Sequence, residues 1–124
     1  MAILVQLIDG NVFNQFEIDQ QGLTIGRSVS NDIYLDDPSV SQKHAIVRKK
    51  QLTDGAYVCF IKDLNSTNHT FVNNKTIDEQ PLSDQDLIVI GTKNFRYIDE
   101  ENEKLAQTKA FKKSWFPGMY YLEG

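Results

Sequence analysis

Three short polar segments carry side chains whose chemistry becomes useful if they are brought together: Gly26-Arg27, Ser41-Gln42-Lys43-His44 and Asn65-Ser66-Thr67-Asn68-His69-Thr70, with Asn73 shortly beyond. Recognising a phosphate in water takes several donors converging on its oxygens, and the planar fork of an arginine can offer two parallel hydrogen bonds to one anion. Arg27 supplies that fork, and the hydroxyls of Ser41 and Thr67 would complete a cradle. Asn68 offers a donor and an acceptor on one short side chain, which suits gripping the main chain of an extended peptide. Charge-assisted hydrogen bonds contribute about 1.5–3 kcal/mol each, so such a cradle gives micromolar binding once association costs are subtracted. Taken singly, each residue has a plainer explanation, a solvated arginine at a strand end or an ordinary turn residue. Their joint order favours the phosphate site.

Those segments need a frame. From the start to Ile98 the chain is a series of short runs rich in β-branched and aromatic residues, each closed by turn residues. Ile3 to Ile8 ends at Asp9-Gly10-Asn11 and Val12 to Ile18 at Asp19 to Gly22, and both gaps read as hairpins. Leu23 to Ile25 runs into Gly26-Arg27, and Ile33 to Leu35 and Ala45 to Arg48 follow. Tyr57 to Leu64, Phe71-Val72, Leu87 to Ile90 and Phe95 to Ile98 complete the set. The pattern predicts an all-β sandwich of two antiparallel sheets, in which loops gather at the two ends. The three functional segments fall between strands, so distant stretches of chain can meet on a rigid frame.

The bulk numbers narrow the function. A chain of 124 residues fits one domain. A net charge of −4 disfavours nucleic acid as a partner, because phosphate backbones are met by an excess of Lys and Arg. The single cysteine, Cys59, lies in the apolar run Ala56 to Ile61 and reads as a buried strand residue in a reducing, cytoplasmic setting. No run approaches the roughly 18 apolar residues needed to span a bilayer, so no membrane role is expected. His44 and His69 are the only histidines and no acidic cluster has ligand spacing, so no metal or cofactor is expected. Asp36-Asp37, Asp84 and Asp86 sit in turn-like contexts that solvation and local capping explain, and no catalytic residue or dyad stands out.

After Asp99 the composition changes. Acids at 100–103 lead into lysines by 112–113, which predicts a short helix over 101–113 within a C-terminal tail spanning 99–124. The tail carries Phe111, Trp115, Phe116, Met119, Tyr120, Tyr121 and Leu122. That density of apolar groups points either to packing against the sandwich or to docking on a partner or a second copy.

Gly-Arg at a strand end, Ser41-x-x-His44 opening a later strand and Asn68-x-Thr70-x-x-Asn73 after another resemble the signature of the forkhead-associated (FHA) domain family in order and spacing. The resemblance covers residues 1–98 and implies an FHA-type β-sandwich that binds threonine-phosphorylated proteins as a signalling adaptor. It implies that Arg27 and Ser41 hold the phosphate, with Gln42 and Thr67 beside them, Lys43 lending positive charge and Asn68 gripping the peptide. Gly26 and His44 would shape the loops and Asn73 would pin the following turn. Two positions depart from the family pattern. His69 stands where glycine is usual, at a cost on the order of 1 kcal/mol if φ is positive there, and Gln42 replaces a common asparagine. A rival reading therefore stays open: a phosphate-independent interaction or self-association module with a degenerate cradle.

Overall fold

The computed structural model describes residues 1–99, so the helix expected over 101–113 and the aromatic tail lie outside the described residues. Eleven strands are formed there: β1 (Ile3–Ile8), β2 (Asn11–Glu17), β3 (Leu23–Gly26), β4 (Ile33–Tyr34), β5 (Ala45–Gln51), β6 (Tyr57–Asp63), β7 (Thr70–Val72), β8 (Lys75–Ile77), β9 (Glu79–Pro81), β10 (Leu87–Ile90) and β11 (Lys93–Ile98). They make a six-stranded sheet in the order β2-β1-β11-β10-β7-β8 and a five-stranded sheet in the order β4-β3-β5-β6-β9. Pairing is antiparallel except between β3 and β4, which run parallel.

The turns follow from local residue chemistry. Asp9 and Gly10 both take positive φ, the geometry that a two-residue hairpin between right-twisted strands requires, and they join β1 to β2. Asn73 and Asn74, at φ 50 and 70, do the same for β7 and β8. The second expected hairpin is not one. Asp19 to Gly22 does turn the chain, with the Gly22 N–H donating to the Asp19 carbonyl at 3.1 Å. Yet β2 and β3 belong to different sheets, and Ile18, 1% exposed, enters the core between them. The turn is a crossover because alternation puts Phe16 and Ile18 on the inner side of one sheet and Leu23 and Ile25 on the inner side of the other.

The core is what the two inner faces bury together. Leu4, Ile88, Ile90, Phe95 and Tyr97 come from the six-stranded sheet, and Leu23, Ile25, Val47, Cys59 and Ile61 from the five-stranded one. Each such side chain contributes about 1.5–3 kcal/mol of burial, and Cys59 is fully buried as its sequence context required. Register brings the ends of three strands together: Ile25 pairs with Ala45, and Ala45 pairs with Asp63. The connections leaving β3, entering β5 and leaving β6 therefore gather at one end of the sandwich.

Candidate functional site

At that end the three polar segments are tied to one another by main-chain and side-chain hydrogen bonds. The Arg27 N–H donates to the Ser41 carbonyl at 2.9 Å, and its side-chain Nε donates to the Val40 carbonyl at 2.9 Å. The guanidinium is thereby anchored by its inner nitrogen, and among the described residues its two terminal nitrogens meet no acceptor. Thr67 donates its backbone N–H to Ser41 Oγ at 3.1 Å, which leaves the Ser41 hydroxyl hydrogen uncommitted. Asn68 Nδ2 donates to the Ser39 carbonyl at 2.9 Å, fastening the loop after β6 to the loop before β5. Arg27, Thr67 and Asn68 are exposed and Ser41 is half-buried, so the assembly faces solvent.

Behind it stands His44, which is 0% exposed. Its Nδ1 accepts the Ser41 N–H at 3.0 Å, so the ring hydrogen sits on Nε2, which donates to the His69 carbonyl at 2.8 Å. One ring thus spaces two of the three loops, a structural role with both nitrogens spent. Gly26 acts by close approach: a Cβ built there would lie 2.2 Å from the Gln42 carbonyl oxygen. That carbonyl accepts from the Ser28 N–H at 3.2 Å and from Asn31 Nδ2 at 2.8 Å. Gln42 therefore works here through its main chain, while its side chain and that of Lys43 stand exposed beside the cluster. Asn73 lies apart from the cluster. Its side chain accepts from the Leu87 N–H at 3.0 Å and donates to Asp86 Oδ1 at 2.9 Å, which pins the β7–β8 turn to the start of β10.

Two carboxylates hold the loops in shape: Asp37, which sequence reading left as a turn residue, and Asp63, which it placed within the strand Tyr57 to Leu64. Asp37 is 5% exposed, so solvation does not explain it. It accepts from Ser39 Oγ at 2.6 Å and the Ser39 N–H at 2.9 Å, and from Thr92 Oγ1 at 2.5 Å and the Thr92 N–H at 3.0 Å. The tip of the β10–β11 hairpin is thereby clamped to the turn whose carbonyls hold Arg27 and Asn68. Asp63 accepts from Ser66 Oγ and Thr70 Oγ1, at 2.5 and 2.8 Å, and from the Ser66 N–H, which closes the loop that carries Thr67 and Asn68. An asparagine, Asn31, is the third supporting group that the motif spacing did not reveal.

The hydrogen bonds from Ser39 and Thr92 hold the Asp37 carboxyl well below the usual carboxylate range, with burial opposing them. For Asp63 burial pushes the carboxyl up, but the Ser66 and Thr70 hydrogen bonds together outweigh it and the net direction is down. Depressed carboxylates stabilise the fold fully above the unfolded pKa, about 3.9 for aspartate, and lose that contribution as pH falls towards the folded value. Urea unfolding should therefore show stability level from pH 7 to about 5 and falling below about 4. The Asp37→Asn protein should start about 1–3 kcal/mol lower and lose less on acidification. An acid slope identical to that of the unaltered protein would remove Asp37 from this role.

His69 does adopt the left-handed conformation, at φ 69, where a side chain costs about 1–2 kcal/mol relative to ordinary backbone. Only its carbonyl is engaged by the cluster, so His69→Gly should raise the urea-unfolding free energy by about 0.5–1 kcal/mol, after the extra chain entropy of glycine is subtracted. A lower unfolding free energy would mean that the imidazole contributes contacts that outweigh the strain.

Comparison with known proteins gives the same direction. The sequence profile described as "FHA domain" matches residues 23–91. The glycogen accumulation regulator GarA of Mycolicibacterium smegmatis is 36% identical over 97 residues, which are 78% of this chain and 57% of that protein. The chain thus spans little more than half the length of that curated relative. A solved FHA domain studied for phosphothreonine-dependent FHA domain interactions is 30% identical, with TM-score 0.67 over 80% of this chain and 97% of that one. Mycobacterium tuberculosis EmbR, solved in complex with a low-affinity phosphopeptide, is 31% identical with TM-score 0.65, over 78% of this chain and 24% of that one.

Proposed function

Because this chain belongs to the FHA domain family, we propose that it is a phosphothreonine-binding adaptor module, with residues 1–98 as the binding domain, and that it recruits threonine-phosphorylated proteins without acting on them. The observation that carries this reading is the joint anchoring of Arg27, Ser41 and Thr67, whose loops are fastened to one another while the terminal guanidinium nitrogens and the Ser41 hydroxyl hydrogen remain uncommitted. An anion offered to such a site meets preset donors, and little ordering entropy is lost on binding. In this assignment Arg27 and Ser41 hold the phosphate, with Thr67 and Gln42 beside them. Lys43 supplies neighbouring positive charge and Asn68 takes the peptide main chain. Gly26, His44 and Asn73 keep the loops in place.

The relatives support the reading by what they are: a regulator, a domain with phosphothreonine-dependent interactions and a protein bound to a phosphopeptide. The buried, unbridged Cys59 suits a cytoplasmic setting, and among the described residues no helix is long and apolar enough to cross a membrane. A phosphate-independent module drew its support from His69. In the structure the His69 carbonyl still receives His44 Nε2, and the loop keeps its Thr67 to Ser41 contact, which favours a working cradle.

The test is fluorescence anisotropy with a degenerate phosphothreonine peptide library, its phosphoserine counterpart and the unphosphorylated library. Micromolar binding of the first, weaker binding of the second as the family resemblance implies, and at least about 100-fold loss with the third are expected, the last from two or more charge-assisted hydrogen bonds. Equal affinity with and without phosphate would sink the proposal in favour of the rival module.

A further inference from the structure

The family profile stops at Gly91, and the next residue along the chain, Thr92, reaches back to the end of the sandwich where the cradle lies. Gly91 and Thr92 form the tip of the hairpin between β10 and β11, with Ile90 paired to Lys93 behind them. Both residues seat that tip on the turn from Asp37 to Val40. Gly91 approaches so closely that a Cβ added there would lie 2.6 Å from Val40 Cγ2 and 2.7 Å from Ser39 Oγ. Thr92 is bonded to the turn through Asp37, whose two oxygens divide the work. Oδ1 accepts the N–H and hydroxyl of Ser39, and Oδ2 accepts the N–H and hydroxyl of Thr92.

The turn held in this way carries the anchors of the cradle. Its Ser39 carbonyl accepts from Asn68 Nδ2 and its Val40 carbonyl from Arg27 Nε, both at 2.9 Å. Ser41 follows directly, taking the Arg27 N–H on its carbonyl and the Thr67 N–H on its hydroxyl. Residues 39–41 therefore fix groups from both of the other loops. The Val40 N–H is in turn bonded to the Asp37 carbonyl at 2.9 Å, so Asp37 and the two residues that aim Arg27 and Asn68 move as one unit.

We propose that Thr92 is a positioning residue for the phosphate cradle: its hydroxyl, acting through Asp37, aims Arg27 and Asn68 from the β10–β11 hairpin. The proposal rests on the phosphothreonine reading of the site. Without that hydroxyl, Asp37 Oδ2 keeps only the Thr92 N–H. Asp37 is 5% exposed, so little water can replace the lost donor, and a charged oxygen short of partners turns towards any other it can reach. Rotation of the carboxyl group carries Oδ1 with it and disturbs its bonds to Ser39. The Ser39 and Val40 carbonyls then lose their fixed direction, and the groups they hold must be realigned when a phosphate arrives, which weakens binding. Thr92 needs no contact with the peptide to act in this way.

Thr92→Val keeps the shape of the side chain and the backbone donor and removes the hydroxyl alone. In the full chain its affinity for the phosphothreonine library should fall about 5-fold, the equivalent of one neutral hydrogen bond. Thr92→Ser, which restores the hydroxyl, should recover most of that loss. A role confined to stability would instead lower the urea midpoint and leave the affinity of the folded protein as it was. The aim of Arg27 has its own readout without peptide. Its Nε–H, bonded to the Val40 carbonyl, gives a separate proton–nitrogen resonance, which in Thr92→Val should shift and exchange with water several-fold faster. Thr92→Ala removes the same hydroxyl and provides both measurements should Thr92→Val fail to fold. Unaltered phosphopeptide affinity in whichever variant folds, or an Arg27 Nε–H resonance that stays in place, overturns the proposal. If the unaltered protein bound no phosphopeptide, the reading of the site would fail, and the resonance alone would decide whether Thr92 aims Arg27.

Discussion

Replacing Arg27 with alanine should weaken phosphothreonine-peptide binding by at least about 100-fold, the equivalent of losing two charge-assisted hydrogen bonds of 1.5–3 kcal/mol each. The folded protein should lose far less. Arg27 is exposed, and among the described residues the one side-chain hydrogen bond removed is the 2.9 Å bond from Nε to the Val40 carbonyl, a loss of about 0.5–1.5 kcal/mol. Arg27→Lys should fall between the two, since it keeps the charge but neither the fork nor the Nε anchor that aims it. The separation of effects carries the argument: affinity measured by anisotropy collapses while the urea midpoint barely moves. An Arg27→Ala protein that still binds the phosphopeptide with unaltered affinity would show that the anion is held elsewhere.

What the sequence disclosed here was set by how local each cause is. Strands such as β1, β6, β10 and β11 announce themselves because their β-branched and aromatic residues sit between turn residues that act within a few positions. β8 and β9 were not legible: at three residues each, Lys75-Thr76-Ile77 and Glu79-Gln80-Pro81 have too little apolar content to show alternation. The Asp19 to Gly22 turn was visible as a turn, but whether a turn closes a hairpin or crosses between sheets depends on which inner face the next strand must join. The site divides the same way. Arg27, Ser41, Thr67 and Asn68 are candidates by type and spacing, and their loops do meet. The support behind them was not, because Asp37 and the Thr92 it clamps are 55 positions apart and nothing near either predicts the partner. His44 reads in the sequence as a packed structural residue, but only the coordinates give it two loops to space.

Gly26→Ala should damage fold and site together, and by more than any other single methyl added near the cluster. The glycine is not needed for a left-handed backbone; it is needed because the added carbon would sit 2.2 Å from the Gln42 carbonyl oxygen, 2.9 Å from its carbon and 2.7 Å from Asn31 Nδ2. A side chain could swing away, but a peptide group held on both sides cannot. The Ser41 carbonyl is fixed by the Arg27 N–H and the His44 N–H by the Ile25 carbonyl, both at 2.9 Å. Overpacking against such a backbone costs about 1–3 kcal/mol or somewhat more, so the urea midpoint should drop clearly. Relief requires Gln42 to move outward, and Ser41 moves with it, away from the Thr67 N–H that it meets at 3.1 Å. Binding sites lose function when donors stray by more than about 0.5 Å, and the fraction that folds should bind phosphopeptide at least about 10-fold more weakly. Gly22→Ala separates the two effects. Its added carbon would also strike a carbonyl, that of Val47 at 2.3 Å, at a φ of +79, but at the opposite end of β3 from the cluster. That protein should be destabilised with the affinity of its folded fraction intact. If Gly26→Ala behaved as Gly22→Ala does, Gly26 would serve the fold alone.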